Sequence, residues 1–175
     1  YYHVYNRSIN RQRIFTNEAH FEKFLELCTK YLPRIGDIYA YCLIPNHFHF
    51  LLYINTYPDN IPPSRLISHL CNAYAQWFNK LTDRTGGLFQ RPFRRKKITD
   101  QEYLKHVIYY IHNNPLHHSL VTDITRYRFS SYHEIIGNQP TITKREQVLE
   151  WFGGKENLIR YHQMRLDDFA EDLFA

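Results

Sequence analysis

Residues 37–54, DIYAYCLIPNHFHFLLYI, decide how this chain folds. Residues 37–44 are a run of aliphatic and aromatic side chains, PNH makes a short turn, and 48–54 is a second such run. Together they predict an antiparallel hairpin. In the second run polar and apolar residues alternate, and on a strand residues two apart share a face. His47 and His49 therefore project from one side of the sheet, while Phe48 and Phe50 project from the other, into a core. Two imidazoles so placed can reach a single divalent ion. The same pattern also fits two solvent-facing histidines on a half-buried strand. Two ligands are too few for a tight structural zinc site, so a metal reading needs a third donor from elsewhere in the chain.

Working outward from the hairpin, the N-terminal flank reads as a short strand around Val4 and Tyr5, then a basic loop, NRSINRQRIF (6–15). Thr16 is a candidate cap for a helix with Phe21, Phe24, Leu25 and Cys28 at helical spacing, ended by Pro33 and Gly36. On the C-terminal flank, TYPDNIPP (56–63) is a proline-rich loop. Ser64 starts a longer helix whose apolar side carries Leu66, Leu70, Ala73, Trp77, Phe78 and Leu81, and Thr85, Gly86 and Gly87 stop it. LFQRPFRRKKI (88–98) is a basic, strand-like stretch in which Pro92 points to an edge strand or a bulge. Thr99 or Asp100 caps a third helix that is expected to end before Pro115. Beyond YRFSSYHEII (127–136), a short helix is expected from Thr143 to Phe152, a break at Gly153 and Gly154, and a last helix from Glu156. The order strand, helix, strand, strand, helix, strand, helix argues an α+β fold, an antiparallel sheet with helices packed on it.

The third helix, QEYLKHVIYYIHNNP (101–115), carries a second chemical signal. Leu104, Val107, Ile108 and Ile111 define its buried stripe. At roughly 100° per residue, Tyr110 and Asn114 lie together at one flank of that stripe, Tyr109 points nearly away from the core, and His112 points elsewhere. Tyr110 is thus placed where a side chain is both held and reachable. The plainer alternative is an amphipathic tyrosine at the core edge, with Asn114 as a helix cap.

The bulk properties set bounds. At 175 residues and 43% hydrophobic, the chain is long and apolar enough to bury one core. It has no apolar run long enough to span a membrane. Its opening residues, YYHVYNRSINRQRIF, lack the apolar core of a secretory signal. They also lack an initiator Met, so the sequence is expected to begin within a longer protein. Cys28, Cys42 and Cys71 are scattered, with no CxxC spacing, which suits buried free thiols in a reducing, cytoplasmic setting. A net charge of +5, a pI near 9.1 and 15 Tyr with 12 Phe suit a polyanionic partner and bases stacked on aromatic rings. Arg91, Arg94, Arg95, Lys96 and Lys97 form one basic cluster, and Arg7, Arg11 and Arg13 form a second. Either could contact phosphates, and either could be a solvated charged face.

YCLIPNHFHFLL (41–52), FQRPFRRKKI (89–98), YLKHVIYYIHNNPLHHSL (103–120) and YRFSSYHEIIG (127–137), taken in this order, resemble the REP-associated tyrosine transposases, single-tyrosine HUH transposases of insertion sequences. The opening YHVYNRSINRQRIF (2–15) looks like the start of the same domain. The resemblance covers residues 1–137, with 138–175 expected as a C-terminal helical extension of the same domain. It implies a ferredoxin-like HUH fold. It places the two metal-binding histidines on His47 and His49, the nucleophile on Tyr110, and the third ligand on Asn114. One departure from many relatives is the doubled tyrosine, Tyr109 and Tyr110.

What the resemblance implies is cleavage and rejoining of single-stranded or hairpin DNA through a 5′-phosphotyrosine, dependent on Mg²⁺ or Mn²⁺ and free of organic cofactors. Arg7, Arg11, Arg13, Arg91, Arg94, Arg95, Lys96 and Lys97 are the expected DNA contacts, in a monomer or a homodimer. The competing readings are a catalytically silent nucleic-acid-binding protein of the same fold, an unrelated metal hydrolase of small phosphoesters, and an RNA-binding module with no need for metal.

Overall fold

A computed structural model describes residues 1–55 and 61–164. Most of the proline-rich loop expected at 56–63 and the end of the C-terminal extension lie outside the described residues. Four strands and six α-helices follow one another as β1 (Tyr2–Arg7), α1 (Glu18–Tyr31), β2 (Gly36–Ile44), β3 (His47–Ile54), α2 (Pro63–Leu81), β4 (Arg94–Lys97), α3 (Gln101–His117), α4 (Tyr132–Ile136), α5 (Arg145–Trp151) and α6 (Lys155–Met164). The sheet order is β2-β3-β1-β4, with every neighbouring pair antiparallel. The expected hairpin is β2–β3. The expected basic edge strand is β4, four consecutive cations on the outermost position, where charge discourages pairing with another chain.

Both faces of the sheet are covered, and strand alternation assigns each side chain to its layer. Phe48, Phe50 and Leu52 of β3 and Val4 of β1 pack against the stripes of α1 (Phe21, Phe24, Leu27, Cys28) and α2 (Leu66, Ile67, Leu70, Tyr74, Phe78). On the other face, Ala40, Cys42, Ile44 and Leu51 pack against Leu104, Val107, Ile108 and Ile111 of α3, with Val148, Phe152 and Leu158 from α5 to α6 closing the cluster. A bulge between Ile38 and Ala40 inserts one extra residue into β2, so that Tyr39 joins Ala40 on the α3 side. The segment before α4 shields the free edge of β2: Leu43 N–H donates to the Phe129 carbonyl at 2.9 Å and Ser131 N–H to that of Tyr41 at 2.9 Å.

Helix ends follow local chemistry. Asn17 caps α1 by accepting from His20 N–H at 3.1 Å, one residue beyond the expected Thr16. Asp100 caps α3 by accepting from Tyr103 N–H at 2.7 Å. α3 does not end before Pro115 but runs through it to His117. A proline removes only one backbone bond in a last turn, and that turn still closes, with His118 N–H on the Asn114 carbonyl at 3.1 Å. Cys28, Cys42 and Cys71 are buried free thiols. Among the described residues, no helix is long and apolar enough to cross a membrane.

Candidate active site

The alternation of β3 sends His47 and His49 to the α3 side of the sheet, where both are only 3% exposed. They are not solvent-facing, because α3 lies over them. In β1, Tyr5 sits directly opposite His49, Arg7 opposite His47, and His3 opposite Leu51. These three β1 side chains therefore share the histidine face. The rings of His3, Tyr5 and His49 form a nearly parallel stack, with His3–His49 centroids 5.1 Å apart at 17° and Tyr5–His49 centroids 5.6 Å apart at 18°. His118, just past the end of α3, lies edge-on to His47 at 4.8 Å between centroids.

α3 brings Tyr110 and Asn114 to this floor from above. The Tyr110 ring stands edge-on to His49 with centroids 5.5 Å apart, and Asn114 Oδ1 lies 3.2 Å from His47 Nε2. All four side chains belong to one chain, so the tyrosine helix meets its own histidines. Tyr109 does not point away from the core: it is 2% exposed, covered by Tyr161 and His162 of α6. Helical periodicity sets Tyr109 apart from the α3 stripe. What it could not supply was a further helix packing there. His112 is buried in a separate network, away from Tyr110.

Hydrogen-bond partners fix which nitrogens carry protons. Asn46 Nδ2 donates to the Arg11 carbonyl at 3.3 Å, which turns Asn46 Oδ1 toward His47 Nδ1 at 2.7 Å. An amide oxygen only accepts, so His47 holds its proton on Nδ1 and presents a lone pair from Nε2. That lone pair faces another acceptor, Asn114 Oδ1. His49 Nδ1 is bonded to His3 Nε2 at 2.9 Å, and His49 Nε2 is buried with no hydrogen-bond partner among the described residues. Lone-pair donors crowded together without protons to share suit a cation, and two imidazoles with an amide oxygen form a mixed N/O set with open positions. The third candidate donor is an amide. Among the described residues, no three His, Cys, Asp or Glu side chains form such a group.

Burial keeps these groups neutral. It lowers His47 to about 3, aided by the charges of His118 and Arg7 and opposed by the neighbouring Asn114 side chain. Burial lowers His49 well below the usual range, with His3 the next cause. Neutral imidazole is the form that ligates a metal. Burial raises the Tyr110 phenol above its ordinary value, while the Asn114 side chain and the Arg7 charge pull it back down. Arg7 is thus the local positive charge that favours a phenolate.

The expected DNA contacts divide by face. Arg94 pairs opposite Tyr5 and Lys96 opposite His3, which puts both on the histidine side with Arg7. Arg95 and Lys97 project from the other side, where Arg95 borders a cavity of about 200 Å³ with Tyr2 and Phe93. Arg91 donates to Asn72 of α2 at 3.0 Å. Arg11 and Arg13 are exposed beyond the end of β1, beside the turn that holds Asn46. Sequence reading missed His3, Tyr5 and Asn46. The alternation of His3, Tyr5 and Arg7 in β1 was visible, but the pairing of β1 with β3 was not.

Comparison with known proteins bears on the fold and the family. Over 128 residues the chain is 27% identical to a Haemophilus influenzae protein assigned as a REP-associated tyrosine transposase, covering 68% of each chain. Its fold is similar to that of a REP-associated tyrosine transposase solved bound to a REP hairpin. The TM-score is 0.57 at 16% identity, over 82% of this chain and 87% of the other. Residues 1–114 match the family model described as IS200-like transposase, a span of more than half of the chain, and the chain belongs to the IS200-like transposase family.

Proposed function

We propose that the protein cuts and rejoins single-stranded or hairpin DNA in a metal-dependent reaction, through a 5′-phosphotyrosine on Tyr110. The observation that carries this reading is the meeting of Tyr110 and Asn114 from α3 with His47 and His49 from β3 in one buried corner of one chain. His47, His49 and Asn114 would hold a divalent ion, Mg²⁺ or Mn²⁺, whose chemistry is to stabilise negative charge on a phosphoryl oxygen. The Tyr110 oxygen attacks the phosphorus, the bond from phosphorus to the 3′ oxygen breaks, and that oxygen leaves as a 3′ hydroxyl. The phenol proton is lost as the leaving oxygen gains one, so the step is balanced. One phosphate ester replaces another, which lets a second 3′ hydroxyl reverse the reaction.

Arg7, in reach of both the phenol and the histidines, favours the phenolate and draws the scissile phosphate in. Arg94 and Lys96 extend the positive charge along the same face, and Arg11 and Arg13 extend it beyond β1. Arg91, Arg95 and Lys97 would take the rest of a folded strand. The likeness to a hairpin-bound transposase supports a folded single strand as substrate. Residues 1–137 act as the catalytic domain, with the helices beyond serving to hold α3 in place. This reading favours assembly of the site in cis.

The test mixes the protein with labelled hairpin DNA and Mn²⁺ and looks for an adduct that survives denaturation. The adduct is expected with the parent and with Tyr109→Phe, and is expected to vanish with Tyr110→Phe, which should still bind the hairpin. Undiminished cleavage after chelation would rule out the metal assignment.

A further inference from the structure

His49 can offer its Nε2 lone pair to an ion only if its proton sits on Nδ1, and Nδ1 has one partner among the described residues. That partner is His3 Nε2, at 2.9 Å, on the neighbouring strand. If His3 donated instead, His49 would carry its proton on Nε2, and the site would lose a ligand. His47 has its tautomer set by Asn46 in the turn between β2 and β3. Both histidines thus have a dedicated partner at Nδ1. The His3 partnership is also held rigid: His3 is fully buried, stacked on Tyr5 with centroids 4.8 Å apart and flanked by the edge of Tyr110 at 6.1 Å.

We infer that His3 is the positioning residue of the metal site, accepting the Nδ1 proton of His49 and so aiming its Nε2 lone pair at the ion. This rests on the metal reading above. Partners of this kind fix ring orientation and raise ligand basicity, and their loss weakens metal binding roughly ten- to hundredfold. The chemistry His3 supplies is an acceptor at one point in space. A glutamine carbonyl reaches about as far as an imidazole Nε2 and can replace it, whereas a leucine fills the volume and accepts nothing.

The experiment titrates Mn²⁺ into the parent, His3→Gln and His3→Leu by calorimetry, with the melting temperature of each metal-free protein as the control for folding. The expected result is near-parent affinity for His3→Gln and a roughly ten- to hundredfold loss for His3→Leu, with both proteins folded. Equal affinity in His3→Leu and the parent would overturn the role of His3, as would an equal loss in both variants. No Mn²⁺ binding by the parent would sink the metal reading itself, which separates the two failures. Nitrogen-15 NMR of the metal-free parent gives a second readout that does not depend on the variants folding. A proton on His49 Nδ1 supports the inference, and a proton on His49 Nε2 contradicts it.

Discussion

Asn114 is where the two halves of the site meet, since its amide touches His47 on the sheet and borders Tyr110 on its own helix. Replacing it with Ala removes an oxygen donor and should weaken Mn²⁺ binding at least about tenfold. Asn114→Asp keeps an oxygen in place and adds negative charge, so it should bind Mn²⁺ at least as well as the parent. Calorimetric titration of both variants decides this, and unchanged binding by Asn114→Ala would move the third ligand elsewhere. Tyr109→Phe should leave the DNA adduct intact and cost about 1 kcal/mol or less of stability, measured by denaturant unfolding. At this scale the sequence was highly legible for Tyr110 and Asn114, because one helical wheel carries both. It was misleading for Tyr109, whose surroundings are made by Tyr161 and His162, about fifty residues further along. No local pattern in α3 announces that cover.

Among the elements, β4 makes the sharpest claim. Its four cations are one run in sequence, but strand alternation divides them, Arg94 and Lys96 beside His3 and Tyr5, Arg95 and Lys97 on the face of α1 and α2. Arg94→Ala with Lys96→Ala should slow adduct formation at subsaturating DNA and lower the slope of log affinity against log salt by about 1 for each phosphate that is no longer neutralised. Arg95→Ala with Lys97→Ala should affect adduct formation far less at matched occupancy. Equal losses for the two pairs, read from adduct yield and salt titration, would contradict a face-specific path for the strand. The hairpin, the basic strand and the third helix, with its cap at Thr99 or Asp100, were legible from period and punctuation. The partner of each strand was not, since β1 pairs with β3 across more than forty residues. That pairing is what puts His3 beside His49. The passage of α3 through Pro115 was also hidden, because a proline near a helix end costs too little to dictate where the helix stops.

Across the whole molecule, the two faces of the sheet carry two layers, an aromatic-rich core under α1 and α2 and, under α3, an apolar cluster beside the buried histidines. α6 locks the second layer. His162 Nδ1–H donates to the Leu158 carbonyl at 2.8 Å, its Nε2 lies 2.9 Å from His112 Nδ1, and His112 Nε2 lies 2.9 Å from the Ser131 hydroxyl, which also donates to the Tyr41 carbonyl at 3.2 Å. These contacts tie α6 through α3 to the start of α4, and burial keeps both rings neutral. Burial lowers His162 from 6.5 to about 4 and holds His112 well below its ordinary value, with the His162 charge adding to it. The unfolded chain therefore binds more protons than the folded one below pH 6.5, so stability rises with pH through that window. It should be complete above the ordinary histidine value and fall as the pH drops toward about 4, with His162 alone contributing on the order of 3 kcal/mol. Melting curves across this range, showing no acid loss, would refute the neutral rings.

The most direct measurement of the central claim is peptide mapping of the DNA adduct by mass spectrometry, after nuclease and protease digestion. The geometry predicts a nucleotide mass on the α3 peptide, localised by fragmentation to Tyr110. A nucleotide on Tyr109, on Tyr5 or on any other residue, or no covalent adduct with intact Mn²⁺-loaded protein and cleaved DNA, would contradict it.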